Sequence, residues 1–161
     1  MARDVATIKK DRLRYTKNKT SANLAYLAIV FGVLYFVSIY QSDVNNYYYS
    51  ITIGLSVICN LVFLLVAFLS SEGLKNYKLN YSFVIIAVGI VQIARIWGIP
   101  RMASEALTVI DGVEVAVMGE SQHTYVVVCL LLSAACCILA GVIGMYKTLT
   151  LEKYKKENGL V

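Results

Sequence analysis

Four long apolar stretches, separated by short polar links, constrain this chain more than any other feature of its sequence. They cover about residues 22–40, 50–69, 81–99 and 124–146. The hydrocarbon core of a bilayer is about 30 Å thick and is crossed by about 20 helical residues at about 1.5 Å each. Lipid leaves unpaired backbone groups unsatisfied, so spans of this length must be helices. The sequence therefore predicts an all-α membrane protein, an up-down bundle of four transmembrane helices forming a single domain.

The composition agrees with a membrane protein. Hydrophobic residues make up 58% of the 161 residues, and charged residues make up only 16%. Soluble domains typically have about a quarter of their residues charged. The net charge of +5 comes mainly from residues beside the spans. The expected partner of those residues is an anionic lipid surface on the cytoplasmic face, and not nucleic acid.

The basic residues alternate between the two predicted sides of the membrane. Of the fourteen Lys and Arg residues outside the spans, thirteen fall in three segments. These segments are residues 1–21, 70–80 and 147–161. The link 41–49 has no basic residue, and the outer loop 100–123 has only Arg101 among four acids. By the positive-inside rule, both termini and the middle link are cytoplasmic.

Small residues in the fourth span predict close contacts between helices. Membrane helices associate through close packing of small side chains, because lipid offers no hydrophobic reward for pairing. Two rows recur at every fourth position: Ser133, Cys137 and Gly141, and Cys136, Ala140 and Gly144. Two interpretations remain open. Both rows stabilise a monomeric bundle, or one row is left over for a partner subunit.

Four polar residues within the spans are the candidate functional residues. They are Asn60, Gln92, Arg95 and Ser133. Counted from the outer span ends at about 1.5 Å per residue, the first, second and fourth of these lie at similar depths near the midplane. Hydrogen bonds between helices at that depth contribute about 0.6–2 kcal/mol each. We interpret these residues as stabilising contacts between helices, with a substrate or ion site as the alternative.

Arg95 is the one charged residue well inside a span. A guanidinium at the centre of a membrane helix costs about 2.5–3.5 kcal/mol, and less near the interface, where the side chain can extend outwards. Three hypotheses follow. Arg95 reaches the outer headgroups, it pairs with an outer carboxylate, or it binds an anionic lipid or substrate headgroup. The candidate carboxylates are Asp43, Glu105 and Glu120.

The outer loop contains a pattern typical of a β-hairpin. Two runs rich in β-branched residues, within 106–118, flank the pair Asp111-Gly112. Such a pair favours the positive φ angles of a tight two-residue turn. Pro100 is expected to end the third span. An isolated two-stranded ribbon is marginally stable in water, so it needs a surface, either the outer face of its own bundle or another protein.

The sequence contains no group of residues that predicts catalysis. All four cysteines lie within spans, and the single histidine, His123, has no cluster of other metal ligands near it in the sequence. No acid lies within a span, which disfavours a stand-alone proton-coupled transporter. We therefore predict no enzymatic activity, no catalytic residue, no cofactor and no metal site.

The leading functional hypothesis is a non-catalytic integral membrane subunit. It would serve as an accessory or assembly component of a larger membrane complex, such as a transporter. The alternatives are a small transporter or channel acting as a homo-oligomer, and a protein that binds anionic lipids through Arg95. The expected partners are the lipid bilayer and either another membrane protein or a second copy of this chain.

Overall fold

The chain folds into long helices and a short β-ribbon. The computed structural model describes residues 5, 7, 11, 16–40, 47–110 and 112–157. The helices are α1 (Lys19–Ile39), α2 (Tyr47–Lys75), α3 (Leu79–Ala94), α4 (Ile99–Glu105) and α5 (Glu120–Glu157). The strands are β1 (Leu107–Ile110) and β2 (Val113–Ala116), and a 3₁₀ turn, Arg95–Trp97, lies between α3 and α4.

Four helical stretches are long and apolar enough to cross a membrane. They are Lys19–Ile39, Gly54–Lys75, Leu79–Glu105 and Glu120–Glu157. Each stretch overlaps one of the four spans predicted from the sequence. The protein is therefore a multi-pass membrane protein built as a helical bundle, which confirms the predicted fold class at that level.

Hydrogen bonds tie one end of the bundle together. The Asn18 side chain caps α1 by accepting a hydrogen bond from the Ser21 backbone N–H at 3.4 Å. The Asn18 backbone N–H donates to the carbonyl of Lys75, the last residue of α2, at 3.1 Å. The Lys147 ammonium of α5 donates to the Asn18 side-chain oxygen at 3.1 Å. The start of α1, the end of α2 and a basic residue of α5 therefore lie at the same end.

The third span is interrupted, and Pro100 does not end it as predicted. Helix α3 ends at Ala94, the 3₁₀ turn follows, and Pro100 lies in the first turn of α4. Proline is tolerated there because the first N–H groups of a helix have no partner within the helix. The apolar helical stretch continues to Glu105, within the segment 100–123 that the sequence assigned to the outer loop.

Helix α5 is the centre of the bundle. It packs extensively against α1 and α3, and α2 packs mainly against α1. Both small-residue rows of α5 are buried. A Cβ atom at Gly141 would lie 2.8 Å from the Ser82 carbonyl oxygen of α3. In the other row, the Ser21 hydroxyl of α1 donates to the carbonyl of Ala140. Both rows pack inside this chain, so the interpretation that leaves one of them for a partner subunit is wrong.

The two strands form a ribbon outside the helices. They pair antiparallel from Leu107↔Ala116 to Ile110↔Val113. Gly112 has a φ of +82°, which only glycine adopts readily, whereas Asp111 lies outside the described residues. At the base of the ribbon, Met118 is buried in an apolar cluster that joins α1, α4 and α5. The ribbon is thus anchored at its base.

The substitution Gly141→Ala tests the close packing of α5. The added methyl group meets the backbone of α3, so we expect the free energy of unfolding to fall by about 1–3 kcal/mol. Gly54→Ala is the matched control, because nothing lies within 4 Å of its Cβ position. Alanine also favours the helix, so the control should be neutral or stabilising by up to about 1 kcal/mol. Unfolding in detergent, monitored through the exposure of the buried cysteine thiols, measures the free energy of unfolding of both variants. Equal effects at the two sites would contradict the packing described here.

Candidate functional site

Three of the four predicted polar residues meet at one point between the helices. Arg95 donates from Nη1 to the Gln92 side-chain oxygen at 2.8 Å, and from Nη2 to the Asn60 side-chain oxygen. Asn60 donates from Nδ2 to the Tyr40 hydroxyl at 3.3 Å. Gln92 belongs to α3, Asn60 to the middle of α2, and Tyr40 directly follows α1. The network therefore joins three of the membrane helices.

Two aromatic rings flank the Arg95 guanidinium. Its carbon lies 4.9 Å from the centroid of the Tyr35 ring and 5.0 Å from the centroid of the Phe63 ring. Cation–π attraction at such distances contributes about 0.5–2 kcal/mol, and more when water is excluded. These contacts and the two amide oxygens hold the guanidinium between the helices.

Within the described parts of the chain, no carboxylate forms an ion pair with Arg95. Glu105, one of the candidate partners, pairs with Arg101 at 2.9 Å instead. Asp43, another candidate, lies outside the described residues. Amide oxygens and aromatic rings solvate the guanidinium as dipoles and quadrupoles, which leaves its net positive charge in place. The site can therefore attract an anion.

A cavity of about 230 Å³ opens beside the guanidinium. It lies between α1, α2 and the break that follows α3. Its lining residues are Tyr35, Leu55, Ser56, Cys59, Phe63, Arg95, Gly98 and Ile99. Most of this lining is apolar, and among the described residues Arg95 is the only charged side chain in it. The cavity thus combines a charged hydrogen-bond donor with apolar walls, the usual composition of a small-molecule site.

Ser133 is not part of this network. Its hydroxyl donates to the Ala28 carbonyl of α1 at 2.9 Å and is buried. The depth estimate from the sequence placed Ser133 at the level of Asn60 and Gln92. However, depth says nothing about which side of a helix a residue faces. Ser133 connects α5 to α1, whereas the Arg95 network lies against α2.

Sequence reasoning did not find the aromatic and cavity residues of the site. A signal was present, because Ser56, Asn60 and Phe63 recur at spacings of four and three and so share one face of α2. That face also carries Cys59, which is exposed and lines the cavity. Spacing in the sequence indicates which residues share this face of α2. Which residues of other helices contact that face depends on how the helices pack.

Metal binding has no support among the described residues. No group of three or more His, Cys, Asp or Glu side chains is arranged to hold a metal ion within that part of the chain. Of the described cysteines, Cys129, Cys136 and Cys137 are buried. Their role in the fold is packing.

A double-mutant cycle tests the network. Asn60→Leu removes one acceptor of Arg95, and we expect a loss of about 1–3 kcal/mol in the free energy of unfolding, because a partly buried charged donor loses its partner. The double variant Asn60→Leu/Arg95→Leu should lose less free energy of unfolding than the two single variants together, by about 0.5–3 kcal/mol. The control cycle combines Ser133→Ala with Arg95→Leu, because these two residues are not in contact. The losses of the two single variants should add to that of the double variant within about 0.5 kcal/mol. Denaturant titration in mixed micelles gives all these values. Additivity in both cycles would contradict the network.

Comparisons with known proteins assign no family to this chain. No protein-family model, no curated protein and no solved structure matches it. What the protein does must therefore be inferred from its own residues, above all from the Arg95 site within the bundle and the ribbon outside it.

Proposed function

We propose that this protein is a non-catalytic integral membrane subunit that binds a partner protein through its outer ribbon. It would act as an accessory or assembly component of a larger membrane complex. One observation carries the proposal: the apolar side chains of the ribbon are exposed. The exposed fractions are 65% for Leu107, 66% for Val109, 62% for Val113 and 44% for Val115. Contiguous exposed apolar residues outside a core are typical of interaction sites.

The strand register places these side chains on both faces of the ribbon. Leu107 and Val109 lie on one face, because alternate residues of a strand point to the same side. Val113 and Val115 lie on the other face. A lipid surface or a helix can cover only one face of a ribbon and leaves the other in water. A protein partner that encloses the ribbon covers both faces, and the strand edges offer further backbone hydrogen bonds to an added strand.

The spans give no support to the transporter and channel hypothesis. Arg95 donates to both Asn60 and Gln92, and Ser133 donates to the backbone of α1. Polar residues that line a conduction path would instead face a shared water-filled space. The anionic-lipid hypothesis is favoured by the cavity beside Arg95. It is compatible with a role as a subunit, since the cavity and the ribbon are separate.

The proposed orientation places both termini and the link between α2 and α3 in the cytoplasm, with the helices running up-down and the ribbon outside. The charge distribution supports this orientation. The contacts between Asn18, Lys75 and Lys147 also support it, because they bring three basic segments to one end of the bundle. The predicted attraction to anionic lipids applies to this end.

Purification in mild detergent tests the proposed subunit role. We expect the tagged chain to recover a companion protein in constant stoichiometry. The double substitution Val113→Thr and Val115→Thr keeps the β-branched shape but places hydroxyls in the interface, so recovery of the companion should fall at least tenfold. Each buried hydroxyl without a partner costs about 1–3 kcal/mol, and about 1.4 kcal/mol already corresponds to tenfold.

Val142→Thr is the matched control for this experiment. Val142 is an exposed residue of α5 on the predicted lipid-facing surface, so the same chemical change there should leave recovery of the companion unchanged. Purification of the wild-type chain alone, with no stoichiometric companion, would contradict the proposal. Equal losses in the ribbon variant and the control would show that the ribbon is not the docking site.

Reporter fusions test the orientation. A fluorescent protein that folds only in the cytoplasm, fused after Val161, should be fluorescent in whole cells. A phosphatase that is active only outside the cytoplasm should be active when inserted at Gly112 and inactive when fused after Val161. The physical reason is the retention of basic segments on the cytoplasmic side. The reverse pattern of reporter activities would show that the protein has the opposite orientation in the membrane.

A further inference from the structure

We propose that the cavity beside Arg95 binds the carboxylate end of a single-chain amphiphile of the fatty-acid type. The guanidinium would hold the carboxylate, and the apolar walls of the cavity would hold the first carbons of the ligand's hydrocarbon chain. This site goes beyond the proposed function and is independent of it, because the cavity lies among the membrane helices and the partner surface is the ribbon.

Charge and hydrogen bonding indicate an anion. A guanidinium has more N–H donors than the two that Arg95 gives to Gln92 and Asn60. Both of these acceptors are neutral amides, and no described carboxylate forms an ion pair with Arg95. Because the guanidinium also lines the cavity, a bound anion would both neutralise its charge and accept N–H groups that the described structure leaves available.

The geometry of the guanidinium favours a carboxylate. Arg95 is fixed by two hydrogen bonds and two flanking rings, Tyr35 and Phe63, so its planar group is held in place before any ligand arrives. A carboxylate matches an edge of such a planar group with two parallel hydrogen bonds. Besides Arg95, the lining residues that carry polar side-chain groups are Tyr35, Ser56 and Cys59. A phosphodiester, with more oxygens and a polar alcohol attached, would bury oxygens without partners.

The size of the cavity indicates that only one end of the ligand enters. Its volume of about 230 Å³ lies below the roughly 300–1,000 Å³ typical of pockets that enclose a whole drug-sized ligand. Leu55 and Cys59, which line it, are exposed on the surface of α2. Exposed apolar residues of α2 face lipid in a multi-pass protein. A hydrocarbon chain that leaves the cavity on this side would therefore continue into the bilayer.

Equilibrium binding of radiolabelled oleate to the full-length protein in detergent tests the proposal. We expect saturable binding to the wild type and binding at least tenfold weaker to Arg95→Gln. Arg101→Gln is the matched control, because Arg101 is an exposed arginine of α4 paired with Glu105 outside the cavity. Its binding should equal that of the wild type. Bound oleate should also slow alkylation of Cys59, which lines the cavity, by a membrane-permeant maleimide.

Two unlabelled competitors identify the chemistry that is recognised. Oleyl alcohol has the same chain without the charge, and dioleoyl phosphatidylglycerol presents a phosphodiester. Neither should displace oleate at concentrations at which unlabelled oleate does. Equal competition by oleyl alcohol would show that the chain alone binds, and equal competition by the phospholipid would show a phosphodiester site. Either result, or the absence of saturable binding, overturns the proposal.

A second variant keeps the test decisive if Arg95→Gln does not fold. Cys59→Phe fills the cavity from the α2 side and leaves the hydrogen bonds of Arg95 in place. Oleate binding should again fall at least tenfold, and unchanged binding would overturn the proposal. Neither variant alters the ribbon, so recovery of a companion protein should be unaffected. Failure of oleate binding is thereby distinguishable from failure of the proposed subunit role.

Discussion

The close approach of α5 to α1 and α3 is the contact on which the rest of the structure depends. Lipid does not drive helices together, so they must gain contact area and hydrogen bonds by approaching closely. Gly141 and its neighbours allow this approach, and the backbone of α5 then comes within reach of hydroxyl donors such as Ser21. In the same interface, Ser133 donates to the backbone of α1. Helix α2 packs mainly against α1, and the Arg95 site forms between these helices and the end of α3.

The break after α3 determines the environment of Arg95. Helix α3 ends at Ala94, and the 3₁₀ turn that follows carries Arg95 at its first position. From this position the side chain reaches back to Gln92 and across to Asn60 of α2. A charge that costs free energy in lipid is thereby solvated by protein dipoles and rings, and no carboxylate in the described part of the chain neutralises it. The same break contributes Gly98 and Ile99 to the cavity wall. The charged group and the adjoining space thus have one structural origin.

The ribbon and the Arg95 site present two separate surfaces with different chemistry. The ribbon exposes apolar side chains on both faces outside the helices and is anchored by Met118 at its base. The site within the bundle combines a fixed positive charge with apolar walls. We propose a protein partner for the first surface and an amphiphilic anion for the second. A membrane subunit that binds both would connect the lipid composition of its bilayer to the complex that it joins.

The four membrane helices were predictable from the sequence, because hydropathy over about 20 residues is a local property that needs no knowledge of neighbours. The polar residues within the spans were also evident as exceptions. The partners of those residues were not predictable: among the described residues Arg95 meets the amides of Asn60 and Gln92 and no carboxylate, Ser133 lies apart, and both rows of α5 are used internally. Pro100 begins a helix rather than ending one. Spacing along a helix determines which residues share a face, but only the packing of helices against one another decides what that face contacts.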